Sequence, residues 1–245
     1  MFPLHDSVAR RYPPLMVWTL IALNAVVFLF EASLPKEALE ALINYYGFVP
    51  ARYTDPAWAL QHGLSPNNYL PFLTMMFLHG GWSHLIGNMW TLWLFGAAVE
   101  DRMGSGRFLV FYLLCGSAAG LTQLLFNAYS TVPAIGASGA IAGVMGAYTL
   151  LFPTARILFF IPVLFFPFFF EWPALLFTGV WFLIQFLQGV MGLFSPAVGG
   201  GIAWWAHVGG FVFGLTLARL FVQPERMRYF PDQAVLSYGP RDPTR

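Results

Sequence analysis

The chain has 245 residues, of which 58% are hydrophobic and 9% charged, with a formal net charge of +1 and a mean hydropathy of +0.65. A soluble domain carries about 25% charged residues, so these values exclude an ordinary water-soluble globule and predict a polytopic membrane protein forming one bundle. The near-zero charge argues against a nucleic-acid partner, and the single cysteine, Cys115, excludes an internal disulfide and reads as a small core hydrophobe.

A spanning helix needs about 20 apolar residues, and six segments supply them. The first, Leu15 to Leu34, follows Arg10-Arg11. Its length, and the want of a clean small-residue cleavage site after it, make it an uncleaved anchor rather than a signal peptide. The second runs from about Pro71 to Val99 and carries His79, His84 and Asn88 in its opening turns. The third is Phe108 to Phe126, the fourth starts near Ile135 and ends before Pro153, the fifth is about Pro173 to Met191, and the sixth Ile202 to Phe221. Between the fourth and fifth, Ile157 to Phe170 is apolar but short and contains Pro162 and Pro167, which predicts an interfacial or re-entrant piece. Residues 1–14 then form a cytoplasmic N-terminal segment, 15–222 the membrane domain with a long outer loop at about 35–70, and 223–245 a flexible cytoplasmic tail. The fold class expected is all-α, a six-transmembrane-helix bundle.

Charge sets the orientation. Of the 12 Lys and Arg, only Lys36 and Arg52 lie in the first loop, and the rest fall on the opposite side of a six-span chain. By the positive-inside rule both termini are cytoplasmic. Spans two, four and six therefore all run inward from the outer face. His84 and Asn88, Ser138 near the start of span four, and His207, about 8 Å below the outer end of span six at 1.5 Å per residue, come to one level on one side. Ionisable groups at such depth are expensive and face a bundle interior or a wet cavity.

The faces agree. His84 and Asn88 are four residues apart and share a helix face. Gly210 and Gly214 share the face of His207. Ser138 is followed by Gly139, Ala142, Gly143 and Gly146, a stripe without bulk. Such stripes let two helix backbones approach closely, as a serine–imidazole hydrogen bond between helices requires. The chemistry this predicts is acyl transfer: Ser138 as nucleophile and His207 as general base and acid. Asn88, His84 and the Ser138 backbone N–H are the candidate donors to the oxyanion. Glu100, Asp101 and Glu171 map to the opposite side, so a Ser–His dyad is expected. A soluble hydrolase elbow would need glycine at position 140, where this chain has Ala140. A transporter would need a pair of broken helices or an acidic relay, and neither is apparent.

These residues resemble the motifs of the rhomboid family of intramembrane serine proteases. Gly136-Ala137-Ser138-Gly139 is similar to its GxSG nucleophile motif, and Ala206-His207 through Gly210 and Gly214 to its sixth helix. His79, His84 and Asn88 resemble its second helix, and Glu100-Asp101-Arg102-Met103-Gly104-Ser105-Gly106 the turn that follows. The resemblance covers roughly Leu15 to Val222. It implies a bacterial-type six-helix core in the cell membrane, transmembrane protein substrates cut on the outer side, and neither metal nor organic cofactor. A catalytically inert family relative that binds or chaperones membrane proteins is the alternative, and it would be expected to lack the serine or the histidine.

The chain departs from the family pattern twice. Leu70 and Pro71 stand where many members have a Trp-Arg pair in the first loop. Ala142 stands where some members place a tyrosine against the histidine. Another ring is expected to hold His207, from Trp204, Trp205 or the second span. Phe177, Trp181, Phe182 and Phe186 on the fifth span resemble the helix proposed to gate lateral substrate entry.

Overall fold

The computed structural model describes residues 2–163, 166–194 and 202–227. In chain order these are β1 (Phe2–Asp6), α1 (Leu15–Ser33), α2 (Lys36–Tyr46), α3 (Ala51–Thr54), α4 (Pro56–Gln61), α5 (Pro71–Thr74), α6 (Trp82–Thr91), α7 (Ala97–Met103), α8 (Ser105–Phe126), α9 (Ser138–Leu151), β2 (Arg156–Val163), β3 (Phe166–Pro173), α10 (Ala174–Phe194), α11 (Trp204–Phe221) and α12 (Pro224–Met227). A 3₁₀ turn, Met75–Phe77, follows α5, and a π turn, Leu92–Gly96, joins α6 to α7 in one rod. The molecule is a mostly helical, multi-pass membrane protein, and α1, α8 and α10 are each long and apolar enough to cross a bilayer. The tail expected at 223–245 lies outside the described residues from 228 onward.

Helix α9 is the centre of the bundle. Every residue from Gly139 to Thr149 is buried, because α8, α10, α11 and the π turn all pack around it. Its 14 residues rise about 21 Å, short of the ~30 Å hydrocarbon core, so it cannot span that layer end to end. Against it α11 packs backbone to backbone. A Cβ on Gly210 would meet the Gly139 carbonyl oxygen at 2.0 Å, and one on Gly214 the Gly143 oxygen at 2.0 Å.

Helix α1 starts after Pro14 without a side-chain cap of its own. The cap comes from α7: the Glu100 carboxylate accepts the N–H of Met16 (2.9 Å) and Val17 (2.8 Å), and Asp101 accepts those of Arg11 (2.9 Å) and Tyr12 (2.8 Å). A carboxylate at a helix N-terminus satisfies orphan donors and complements the macrodipole. Glu100 is itself buried. Glu100→Ala should therefore cost about 2–4 kcal/mol, since it strands buried donors; thermal unfolding in detergent should show a clearly lowered midpoint.

The helical bundle also carries a small sheet. Ile157 to Phe170, the piece read as interfacial or re-entrant, is built of strands and not of helix. It belongs to a β-hairpin in which Arg156 lies opposite Pro173 and Val163 opposite Phe166, and β1 pairs antiparallel with β2 to make a three-stranded sheet ordered β1-β2-β3. Pro162 and Pro167 face each other across the hairpin near its turn, and two prolines in a short apolar run forbid a helix. The hairpin brings Pro173 back beside Arg156. The N-terminal segment is also more than a leader to α1. The Ser7 N–H donates to the Arg156 carbonyl (2.9 Å), and Asp6 accepts from the Tyr148 hydroxyl (2.9 Å) and Arg10 (2.7 Å). Burial pushes the Asp6 carboxyl above its usual range, against the pull of Arg10.

The second span also differs from expectation. Pro71 opens a single turn, and the long helix begins only at Trp82, after Gly81 at φ +155°. A φ in that region favours glycine and breaks the run that apolarity alone suggested. The first loop folds into α2, α3 and α4. Buried Arg52 donates to the carbonyls of Tyr45 (3.0 Å) and Asn44 (3.5 Å) at the end of α2. The loop is tied to the chain just before α9 by reciprocal Phe48–Ala134 backbone bonds.

Candidate active site

Ser138 is the first residue of α9. The first backbone bond of that helix runs from the Ile141 N–H to the Ala137 carbonyl (3.0 Å), so the Ser138 amide lies among the first-turn donors that have no intrahelical acceptor. Gly136, two residues earlier, has φ +118°, which disfavours any L side chain. A Cβ there would also lie 2.7 Å from the His84 ring. Glycine is thus required twice, for conformation and for room.

His207, in the first turn of α11, places Nε2 2.8 Å from Ser138 Oγ. Because α11 begins at Trp204 rather than Ile202, His207 is only about 5 Å from the helix start. Its Nδ1 lies 2.8 Å from Gln185 Oε1 on α10. If Nε2 accepts the serine proton, Nδ1 carries the ring hydrogen, and the amide oxygen is its acceptor. The rings beside it are Trp181 of α10, with centroids 5.9 Å apart, and Trp204, at 6.3 Å. Trp204 was among the expected rings. Trp205 instead stacks on Phe126 at 3.8 Å, and the nearer ring comes from the fifth span rather than the second.

On α6, the Gly80 N–H donates to His84 Nδ1 (3.3 Å). That fixes the tautomer with hydrogen on Nε2, an atom on the Gly136 side of the ring. One turn on, Asn88 is buried, and its amide nitrogen has no hydrogen-bond partner among the described residues. A buried donor without a partner calls for an explanation, and a developing oxyanion would supply one. His79 falls outside α6, in the loop before it. Its N–H donates to the Glu31 carboxylate (3.2 and 3.4 Å), and its ring packs edge-on against His84 at 5.1 Å. It tethers and buttresses His84 without reaching Ser138. Gly139, Gly210 and Gly214 line the α9–α11 contact that lets the serine and histidine meet.

A cavity of about 760 Å³ holds Ser138, His207, His84 and Asn88 on its walls. It continues along α9 as far as Met145, about 10 Å of helix rise, to Phe177 on α10 and Pro3 of β1. Its volume suits a ligand site, and its length suits a segment of chain.

Sequence reasoning missed two polar residues, Gln185 and Glu31. Both had the same signal: a polar side chain in an apolar span, which is costly unless it has a partner. Neither belongs to a recognisable motif.

A family model described as the Rhomboid domain matches residues 66–224. The chain is similar to "Rhomboid protein 1, mitochondrial" of Saccharomyces cerevisiae, with 27% identity over 216 residues, 84% of this chain and 53% of the relative. It is also similar to two Bacillus subtilis proteins. For "Putative rhomboid protease YdcA" the identity is 29% over 146 residues, 60% of this chain and 66% of the relative. For "Rhomboid protease GluP" it is 47% over 75 residues, 31% of this chain and 14% of the relative. The chain thus spans only part of the length of each of these relatives.

Proposed function

The chain belongs to the rhomboid family, and we propose that it is an intramembrane serine endopeptidase that cuts peptide bonds in or near transmembrane segments of membrane proteins. One observation carries the reading: His207 Nε2 lies 2.8 Å from Ser138 Oγ, at the wall of an elongated cavity. That is hydrogen-bond reach for a nucleophile and its base.

In the proposed reaction, Ser138 Oγ attacks the scissile carbonyl carbon as His207 Nε2 takes its proton. The carbonyl oxygen becomes an oxyanion held by Asn88 Nδ2, His84 Nε2–H and the Ser138 N–H, assisted by the N-terminal dipole of α9. Collapse breaks the C–N bond, and the imidazolium returns its proton to the leaving amine. Water, deprotonated by His207, then attacks the acyl carbon, and the C–Oγ bond breaks as the imidazolium returns that proton to Ser138 Oγ. Four of the proposed spans, namely α1, α6 with α7, α8 and α9, lie between β1 and β2, which share one sheet, and an even number supports the six-span topology. Together with the positive-inside rule it supports a reading with both termini in the cytoplasm and the site toward the outer face.

Treating the detergent-solubilised protein with a fluorophosphonate probe should label Ser138, as read by peptide mass spectrometry. Absence of label, or label that persists in Ser138→Ala, would overturn the protease reading and leave that of a non-catalytic binder of membrane proteins.

A further inference from the structure

His207 belongs to α11, yet what orients its ring is on α10. Gln185 Oε1 faces Nδ1 at 2.8 Å, and Trp181, one turn earlier on the same helix, packs against the imidazole. Gln185 is buried, while most of α10 is not. The buried residues of that helix are Ala174, Thr178, Gln185 and Gly189, a stripe one side chain wide. Thr178 bonds Thr149 of α9 (2.9 Å), and Gly189 meets the Trp205 ring. An amide that is buried and aimed at one imidazole nitrogen, on a helix whose other side chains are apolar save Thr178 and Gln188, is costly without a task.

We propose that Gln185 is the positioning residue for His207. It holds the hydrogen on Nδ1, so that Nε2 is the lone pair presented to Ser138, and it stabilises the imidazolium formed when the serine proton moves. A wrong tautomer is among the costliest single faults of a serine–histidine pair. A neutral amide does this work without burying an ion, which a carboxylate in the bilayer would require. The consequence is that the dyad is complete only while α10 lies against α11.

The inference rests on the serine protease reading, and its test separates the two. Gln185→Met keeps length and volume but removes the strong acceptor, and Gln185→Glu keeps an acceptor and adds charge. Among the described residues, His84 on α6 is the other titratable side chain with imidazole chemistry on the cavity wall, where no carboxylate or cationic Lys or Arg appears; it is unchanged in both variants. For cleavage of a transmembrane reporter in proteoliposomes, Gln185→Met should lower kcat by about tenfold or more with KM within about twofold. The acidic limb of its kcat/KM–pH profile should move to lower pH. Gln185→Glu should recover kcat and move that limb to higher pH, because an acceptor carboxylate favours the imidazolium. Parent kcat and pH limb in Gln185→Met would overturn the inference. So would a loss in Gln185→Met with an unmoved limb that Gln185→Glu fails to restore, the mark of a purely structural residue. Both outcomes leave the protease reading intact as long as the parent is labelled at Ser138; failure of that labelling is failure of the earlier reading.

Discussion

Ser138→Ala and His207→Ala should each lower kcat for a transmembrane reporter by about 10⁶-fold, and the double variant should lose no more than either alone. In the proposed mechanism the two side chains act as one unit. Without the hydroxyl there is nothing for the base to activate, and without Nε2 the hydroxyl has no acceptor at 2.8 Å. Any residual rate would come from binding and from the oxyanion donors, typically worth about 10³–10⁴ over water. Asn88 and the Ser138 amide nitrogen survive either change. The measurement is single-turnover cleavage in proteoliposomes. Losses that multiply in the double variant would mean that the two residues act independently, contrary to the mechanism.

Gly210→Ala should damage both stability and cleavage severely. The added Cβ would stand 2.0 Å from the Gly139 carbonyl oxygen and 3.0 Å from its carbon, and backbone cannot rotate away as a side chain would. Helix α11 must withdraw from α9 by about 1 Å or more, and overpacking of this kind costs about 3 kcal/mol. The Ser138–His207 bond crosses the same contact, so the shift also takes it beyond useful reach, and ~1 Å of misplacement can cost about 10²-fold in rate. Gly179→Ala provides the contrast. A Cβ there has nothing within 4 Å, and alanine in a helix interior is favoured by up to about 1 kcal/mol. Unfolding midpoints and cleavage rates should separate the two variants sharply. Equal behaviour would mean that the α9–α11 contact is slack.

The helical core was legible because bilayer-length apolar runs and their interruptions are one-dimensional signals. Helices α8, α9 and α10 lie within three residues of where Phe108–Phe126, Ile135–Pro153 and Pro173–Met191 suggested. Ser138, His207, His84 and Asn88 were legible because glycine stripes and helix spacing carry their meaning locally. What escaped was set by tertiary partners. Apolarity ran through Pro71–Phe77 with Thr74 as its one break, and Gly81 marked that the second helix starts at Trp82. The hairpin escaped because short apolar runs read alike as strand or buried helix, and the choice was made by pairing with residues 2–6. Gln185 and Glu31 escaped because a lone polar residue shows a cost and not its partner. The absent family tyrosine did signal that some ring must replace it, but not that Trp181 of α10 would.

The sheet has a bearing on how the protein is made. Strand β1 is synthesised first, yet its partners Ile157–Phe160 come more than 150 residues later in the chain. At about 5–20 residues per second, the backbone groups of residues 2–6 must stay solvated for roughly 10–30 s while α1 to α9 are inserted. Asp6 waits almost as long for Tyr148, with Arg10 as its nearby counter-charge in the meantime. Closing a loop of that size costs little more than closing a short one, so the delay is one of timing rather than stability. The sheet can form only after α9 is complete, and α10, which carries Gln185, emerges directly behind β3. The growing chain therefore passes through a stage in which Ser138 is present while neither the orienting amide nor His207 has been made.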